Sequence, residues 1–186
     1  MIEFLEQDHL YLVDGVITPS VSQIIKSVLD EYPNVPKHIL QNKAEYGTKM
    51  HELIERLEKG ETLEELAEIA SDEQRDSLVA YKAIREEHPF QIKDMEQIVG
   101  NERCCGRYDI LTTEDMLIDL KTNARLPKRH LEIQLGLYYY LMGMESHAGA
   151  CIWLPKKGKA KWVEVTPISN AECEDIIARY EKHYSK

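Results

Sequence analysis

No apolar run among the 186 residues approaches the roughly 20 that a membrane-spanning helix needs. The opening residues, Met-Ile-Glu-Phe-Leu-Glu-Gln-Asp-His, lack the basic and then apolar design of a signal peptide, so the expected location is the cytoplasm, away from any membrane. Cysteine is sparse and poorly spaced for metal or redox work. Cys104 and Cys105 are adjacent, Cys151 and Cys173 stand alone, and no C-x-x-C occurs. All four are expected as reduced thiols in a core. Positive charge is in deficit as well. With 23 Lys and Arg against 33 Asp and Glu, the net charge is −10, which argues against a general nucleic-acid coat, because backbone binding depends on neutralising phosphates. There is no internal repeat.

What is present is an ordinary globular composition, 43% hydrophobic and 30% charged, in a length that fits one domain with a sizeable core. Chemistry concentrates in Gly106–Thr122, G-R-Y-D-I-L-T-T-E-D-M-L-I-D-L-K-T. A polar turn at Thr113, Glu114 and Asp115 separates two apolar-rich runs that read as antiparallel strands. A hairpin centred near Glu114 sets Asp109 opposite Asp119 on one face, with Lys121 beside them. Tyr108, Ile110, Ile118 and Leu120 then form the other, core-facing side. Two opposed carboxylates repel unless a cation lies between them, and hard oxygen ligands suit Mg²⁺ or Mn²⁺. The bland alternative is an exposed hairpin with a cross-strand ion pair of little energetic weight.

Charge is unevenly distributed. Acids cluster between Glu52 and Asp76, whereas Lys121, Arg125, Lys128 and Arg129, and then Lys156, Lys157, Lys159 and Lys161, are basic groups. They form either a positive groove on an acidic body or solvated loop charge.

The rest reads as scaffold. His9–Thr18 is two β-rich pieces around Asp14-Gly15, a hairpin signal, and Ser20 caps a helix carrying Val21, Ile24, Ile25 and Val28. Tyr32–Pro36 breaks that helix. A helix from Lys37 to about Lys59, with an interruption at Gly47, sets His51 and Glu55 on one face and Met50, Leu53, Ile54 and Leu57 on the other. Thr62–Ala70 and Asp72–Glu87 are further helices, the latter with the stripe Leu78, Tyr81, Ile84. Gln91–Cys105 is a strand pair or one long bent strand, in which Glu96 and Glu102 point either toward the metal region or, by default, to solvent. His130–Met144 is a helix with Ile133, Leu137 and Leu141 inside and Gln134 and Tyr138 four apart. Two strands (Ala148–Leu154, Lys161–Thr166) and a helix (Ser169–Tyr184) finish the chain. The expectation is α/β, with a mixed central sheet flanked by helices in residues 91–186, preceded by a hairpin and helical region in residues 1–90.

Gly47-x-x-x-His51, Gly106-Arg107-Tyr108-Asp109, Ile118-Asp119-Leu120-Lys121-Thr122 and Gln134-x-x-x-Tyr138, in that order, resemble the PD-(D/E)XK nuclease superfamily, in its RecB-type exonuclease branch. The opening H-L-Y-L-V-D-G-V-I-T-P-S-V-S-Q-I-I resembles phage and prophage members. The resemblance implies a restriction-endonuclease-like core and an Mg²⁺- or Mn²⁺-dependent DNA exonuclease. Asp109, Asp119, His51 and the Leu120 carbonyl would hold metal, Lys121 would act on the attacking water, and Gln134 and Tyr138 would contact DNA. Arg125 and Lys128 are further substrate-binding candidates, and Glu96 and Glu55 further acidic candidates. Tyr108 stands where the superfamily name has proline. Some relatives hold an iron–sulfur cluster on four cysteines, and no matching group occurs here. A recombination or single-strand annealing protein and a homo-oligomer are the partners such a resemblance implies. The rival readings are a non-catalytic acidic interaction protein or DNA mimic, and an endonuclease with the same site.

Overall fold

The computed structural model describes residues 1–6, 8, 10–29, 37–145 and 147–184. His9 and the predicted break at Tyr32–Pro36 lie outside them. The chain opens with β1 (Ile2–Leu5), β2 (Leu10–Val13) and β3 (Val16–Thr18), an antiparallel sheet in that order. Asp14 and Gly15 turn β2 into β3 with φ of 50° and 79°, the left-handed pair that a two-residue hairpin turn demands. The expected hairpin therefore gains a third strand, because Ile2, Glu3, Phe4 and Leu5 alternate in burial and pair with β2.

Four helices follow: α1 (Val21–Val28), α2 (Lys37–Glu58), α3 (Leu63–Ala67) and α4 (Asp72–Glu87). Ser20, Thr62 and Ser71 each accept from the backbone N–H three residues on, and the Gln or Glu there accepts in return from the cap's own N–H. These reciprocal caps fix where α1, α3 and α4 begin. α2 runs unbroken through Gly47 over 22 residues. A single interior glycine costs about 1 kcal/mol of helix propensity, which the burial of Met50, Leu53 and Ile54 outweighs.

The main sheet contains β4 (Ile92–Gly100), β5 (Cys105–Thr112), β6 (Leu117–Lys121), β7 (Gly149–Trp153) and β8 (Lys161–Val165), neighbours in that order. Only β6 and β7 run parallel. The parallel pair needs a crossover, and α5 (Lys128–Leu141) supplies it; α6 (Asn170–Tyr184) closes the chain. The stretch left open as a strand pair or one bent strand is one strand, β4, with a register shift between Ile92 and Asp94. Among the described residues no helix is long and apolar enough to cross a membrane.

Helices cover both faces of this sheet. Val21 and Ile24 of α1, Leu135 of α5 and Ile177 of α6 pack with Leu111, Leu117 and Cys151. Met50, Leu53, Leu66 and Tyr81 from α2, α3 and α4 pack with Ile110, Ile118, Leu120 and Ile152 on the opposite side. The N-terminal helices are thus walls of the main core on both faces. All four cysteines are free and buried.

Two expectations about sidedness need correction. Tyr108 packs with the α1, α5 and α6 cluster, its ring 6.4 Å from that of Tyr138, whereas Ile110, Ile118 and Leu120 belong to the other cluster. The alternation slips between Tyr108 and Ile110, next to Asp109. Nor does α5 carry a one-sided stripe: Leu131, Leu135 and Tyr139 are buried along with Ile133 and Leu137, because α5 is enclosed by the sheet, α1 and α6.

Tyr139 ties α5 to the sheet through its hydroxyl. That oxygen accepts from Leu117 N–H at 3.0 Å and stands 2.8 Å from the carbonyls of both Asp115 and Ala148. Tyr139→Phe leaves a buried strand N–H without its partner, and the expected loss is about 1–3 kcal/mol. Urea unfolding checks this; an unchanged midpoint would show that the bond contributes nothing.

Candidate metal centre

Asp109 stands where three strands meet. β5 pairs with β6 at Ile110–Ile118 and Leu111–Leu117, and continuing that register sets Asp109 opposite Asp119, as the sequence predicted. β5 pairs with β4 at Met95–Ile110 and Gln97–Tyr108, which sets Asp109 opposite Glu96 on its other side. Three acidic residues therefore stand in a row across adjacent strands, and both ladders omit the rung that carries Asp109. The N–H of Leu120, which a continued ladder would direct at the Tyr108 carbonyl, donates instead to Asp109 Oδ2 at 2.6 Å. Glu96 has φ of 50°, a left-handed conformation that side chains with a Cβ rarely adopt and that clusters at functional sites.

Close packing presses the neighbouring residues into place. A Cβ on Gly106 would fall 2.7 Å from the Tyr138 ring and 3.0 Å from Val21, so α1 and α5 approach β5 here because residue 106 has no side chain.

His51 reaches this row from α2. Its Nδ1 lies 3.4 Å from both Glu96 Oε1 and Asp109 Oδ1, and its Nε2 is 3.2 Å from the Leu120 carbonyl oxygen. One ligand atom from each of His51, Glu96 and Asp109 falls within 4.8 Å of the others, a spacing that fits a metal ion. At the other end of the row Lys121 Nζ sits 2.9 and 2.7 Å from the two oxygens of Asp119. It also donates to Gln134 Oε1 at 3.1 Å, and Gln134 Nε2 donates to the Tyr138 hydroxyl at 3.3 Å.

Electrostatics follow from this crowding. Burial opposes charge on His51, yet Asp109 and Glu96 push its pKa up to about 10. Burial and the nearby Asp109 push Asp119 up to about 6, against the pull of Lys121. Asp109 is held below the usual carboxylate range, its burial outweighed by His51 and Lys121. Burial likewise opposes charge on Lys121, and Asp119 and Asp109 outweigh it and raise the pKa. The imidazolium is thus the cation that the Glu96–Asp109 pair requires. A divalent ion on the same atoms would need that imidazole neutral.

The donor set fits a hard divalent ion. Glu96 Oε1 is buried without a hydrogen-bond partner, and Arg107 Nε holds the other oxygen, Oε2, at 2.9 Å, leaving Oε1 turned toward His51. Oxygen-rich sites with one imidazole suit Mg²⁺ or Mn²⁺.

All this lines a cavity of about 890 Å³, reached by His51, Glu55, Glu96, Asp109, Leu120, Lys121, Gln134 and Tyr138. The N-terminal sheet contributes Tyr11, and Lys43, Lys156 and Lys157 lie at the wall. No family model matches the chain, and no curated protein does. Among solved structures, that of SSO0001 shares 15% identity, with 87% of this chain and 84% of that chain covered, at a TM-score of 0.39.

The candidate residues are thus brought together unevenly. Of the expected ligand set, Asp109 faces Nδ1 of His51 and the Leu120 carbonyl faces Nε2, while Asp119 is paired with Lys121. Glu96, expected toward solvent by default, has a side chain only 12% exposed and joins the cluster; Glu102 is exposed, as expected. Arg125 and Lys128, the latter the first residue of α5, are exposed and absent from the cavity wall. Glu55 lines the cavity and pairs with Lys59. A signal for Glu96 existed: closing a turn between Gly100 and Cys105 and counting back along β4 reaches residue 96 opposite residue 109. For Lys43 the signal is its spacing, two four-residue steps before His51.

Proposed function

We propose that this chain is a divalent-metal-dependent DNA exonuclease of PD-(D/E)XK type, with its mixed sheet serving as the restriction-endonuclease-like core. The observation that carries the reading is the row Glu96, Asp109, Asp119, of which Glu96 and Asp109 line the cavity, with an imidazole at one end and the cavity-lining ammonium of Lys121 at the other. Residues from three of the four sequence motifs contribute to it, and Gln134 of the fourth accepts from Lys121.

His51, Glu96 and Asp109 would hold Mg²⁺ or Mn²⁺, and the imidazole makes Mn²⁺ a good fit. When bound, such an ion supplies Lewis acidity toward a phosphodiester and lowers the pKa of water. Lys121, aligned by Asp119 and Gln134, would set its ammonium beside the scissile phosphate and stabilise the negative charge that develops there. Asp109 would hold the end of β6 in register through Leu120 N–H, which fixes the position of Lys121 one residue on. The buried hydroxyl of Tyr138 would keep its proton, since burial raises its pKa far above the ordinary phenol value.

The net charge of −10 favours one rival, a non-catalytic DNA mimic. An intact Asp119–Lys121 pair oriented by Gln134 weighs against it, since a mimic has no use for a buried ammonium. Incubating purified protein with linear and covalently closed circular DNA, with Mg²⁺ or Mn²⁺, decides the matter. Linear DNA should shorten from its ends to 5′-phosphorylated products, circles should persist, and EDTA should stop the reaction. Nicked circles would transfer the reading to an endonuclease, and intact linear DNA with both ions would remove the catalytic reading.

A further inference from the structure

We propose that nucleic-acid phosphates approach this cavity from one side only, along a track formed by Lys43 of α2 and Lys157 of the β7–β8 turn. The proposal rests on reading the cavity as a nucleic-acid site, and adds to it where the strand lies.

α2 runs along the cavity wall. Lys43, Gly47, His51 and Glu55 follow one another at four-residue intervals and all line it, so they form one stripe of the helix. Lys43 precedes His51 by eight residues, about 12 Å along the helix axis. Gly47 lies midway and carries no side chain; a Cβ there would stand 3.5 Å from Thr122 Oγ1. Gly47 and Thr122, both lining the cavity, therefore border the lane between Lys43 and His51. Beyond His51 the stripe changes sign. Glu52 and Glu55 line the cavity there, and although Lys49 and Lys59 pair with them, neither carboxylate can donate to a phosphate oxygen.

The β7–β8 turn meets the same end of α2 as Lys43. Lys156 Nζ stands 3.9 Å from the centre of the Tyr46 ring and 3.0 Å from Glu73, and the Tyr46 hydroxyl in turn bonds the Ser77 hydroxyl at 3.2 Å. This anchorage fixes the turn against α2 between Lys43 and His51 and sets Lys157, next in sequence, at the cavity wall. Lys43 and Lys157 are exposed and form no ion pair among the described residues. Their charge is available to phosphates, whereas that of Lys156 is spent on Glu73. On a body of net charge −10, such a local positive lane governs where a polyanion can lie.

The test is binding of a fluorescein-labelled twelve-nucleotide thymidylate strand, read by anisotropy in EDTA across a series of salt concentrations. The Lys43→Gln/Lys157→Gln double variant should weaken binding severalfold at low salt and flatten the slope of log K against log salt by about 1.4, roughly 0.7 per lost contact on single strands. Arg125→Gln/Lys128→Gln should leave the slope as in wild type, and both variants should keep the wild-type thermal midpoint, since all four side chains are exposed. An unchanged slope in the lysine variant, a loss appearing in the Arg125/Lys128 variant instead, or no binding by wild type overturns the track. The two readings fail separately. Absence of hydrolysis with Mg²⁺ and Mn²⁺ alongside the expected slope loss removes the nuclease and keeps the track, while hydrolysis with an unaltered slope does the reverse.

Discussion

Asp109→Asn is expected to lower DNA hydrolysis by on the order of 10³-fold and to weaken Mn²⁺ binding at least about tenfold. Asp109 is the residue shared by both halves of the site: Oδ1 faces His51 and Oδ2 accepts the Leu120 N–H at 2.6 Å. Asparagine keeps one oxygen for that N–H, so the end of β6 stays in register. What it removes is the charge at the middle of the row, and its amide nitrogen offers a donor where a cation needs an acceptor. The side chain is 9% exposed, and a water taking its place on the ion would bring no negative charge. Titrating metal-free protein with Mn²⁺ and timing the degradation of linear DNA give the two readouts, with circular dichroism as the check on folding. Wild-type affinity and rate in a folded variant would remove Asp109 from the centre, and the nuclease reading with it.

The second large effect is on stability. The sequence alone leads to the expectation that alanine at Asp119 or Lys121 abolishes cleavage and leaves the fold intact. The structure alters the second half of that expectation, because the Asp119 side chain is 2% exposed and that of Lys121 16%, with 2.7 Å between their charges. Lys121→Met strands a buried carboxylate beside Asp109, and removing one partner of a buried pair costs about 3–5 kcal/mol. The Lys121→Met/Asp119→Asn double variant should recover most of that loss while staying inactive, since a neutral pair of similar shape carries no stranded charge. The sign of the pH dependence follows from Asp119. Its pKa in the folded protein is pushed above the ordinary carboxylate value, to about 6, with Lys121 present, and losing Lys121 raises it further. The folded state therefore binds that proton more readily than the unfolded chain, and the deficit of the single variant relative to wild type should shrink as pH falls toward 6. Urea unfolding of the three proteins at two pH values measures both effects. A single variant as stable as wild type would mean that Asp119 finds another partner.

Much of the scaffold could be read from local chemistry. Asp14-Gly15 announces a left-handed turn, Ser20 announces a helix start, and the polar Thr113–Asp115 segment centres the hairpin that opposes Asp109 to Asp119. Each signal needs only a few neighbouring residues. Glu96 needs more: its place depends on the register set by the Gly100–Cys105 closure and on a φ of 50° that no propensity assigns to glutamate. The enclosure of α5 was hidden for a related reason, since Leu131, Leu135 and Tyr139 are buried by α1, α6 and the sheet, elements distant in sequence. Arg125 and Lys128 looked suitable by charge alone, and charge does not reveal which residues line a cavity. Lys43 belongs to the cavity through its place on the α2 stripe of His51, and Lys157 through the anchored β7–β8 turn that closes on α2.

The centre draws His51 from the helical layer on one side of the sheet and Gln134 from the layer on the other, while the three acids come from strands between them. Neither layer alone can assemble it. A partly melted copy therefore lacks the complete constellation, and the cluster forms only once both layers have docked on the sheet.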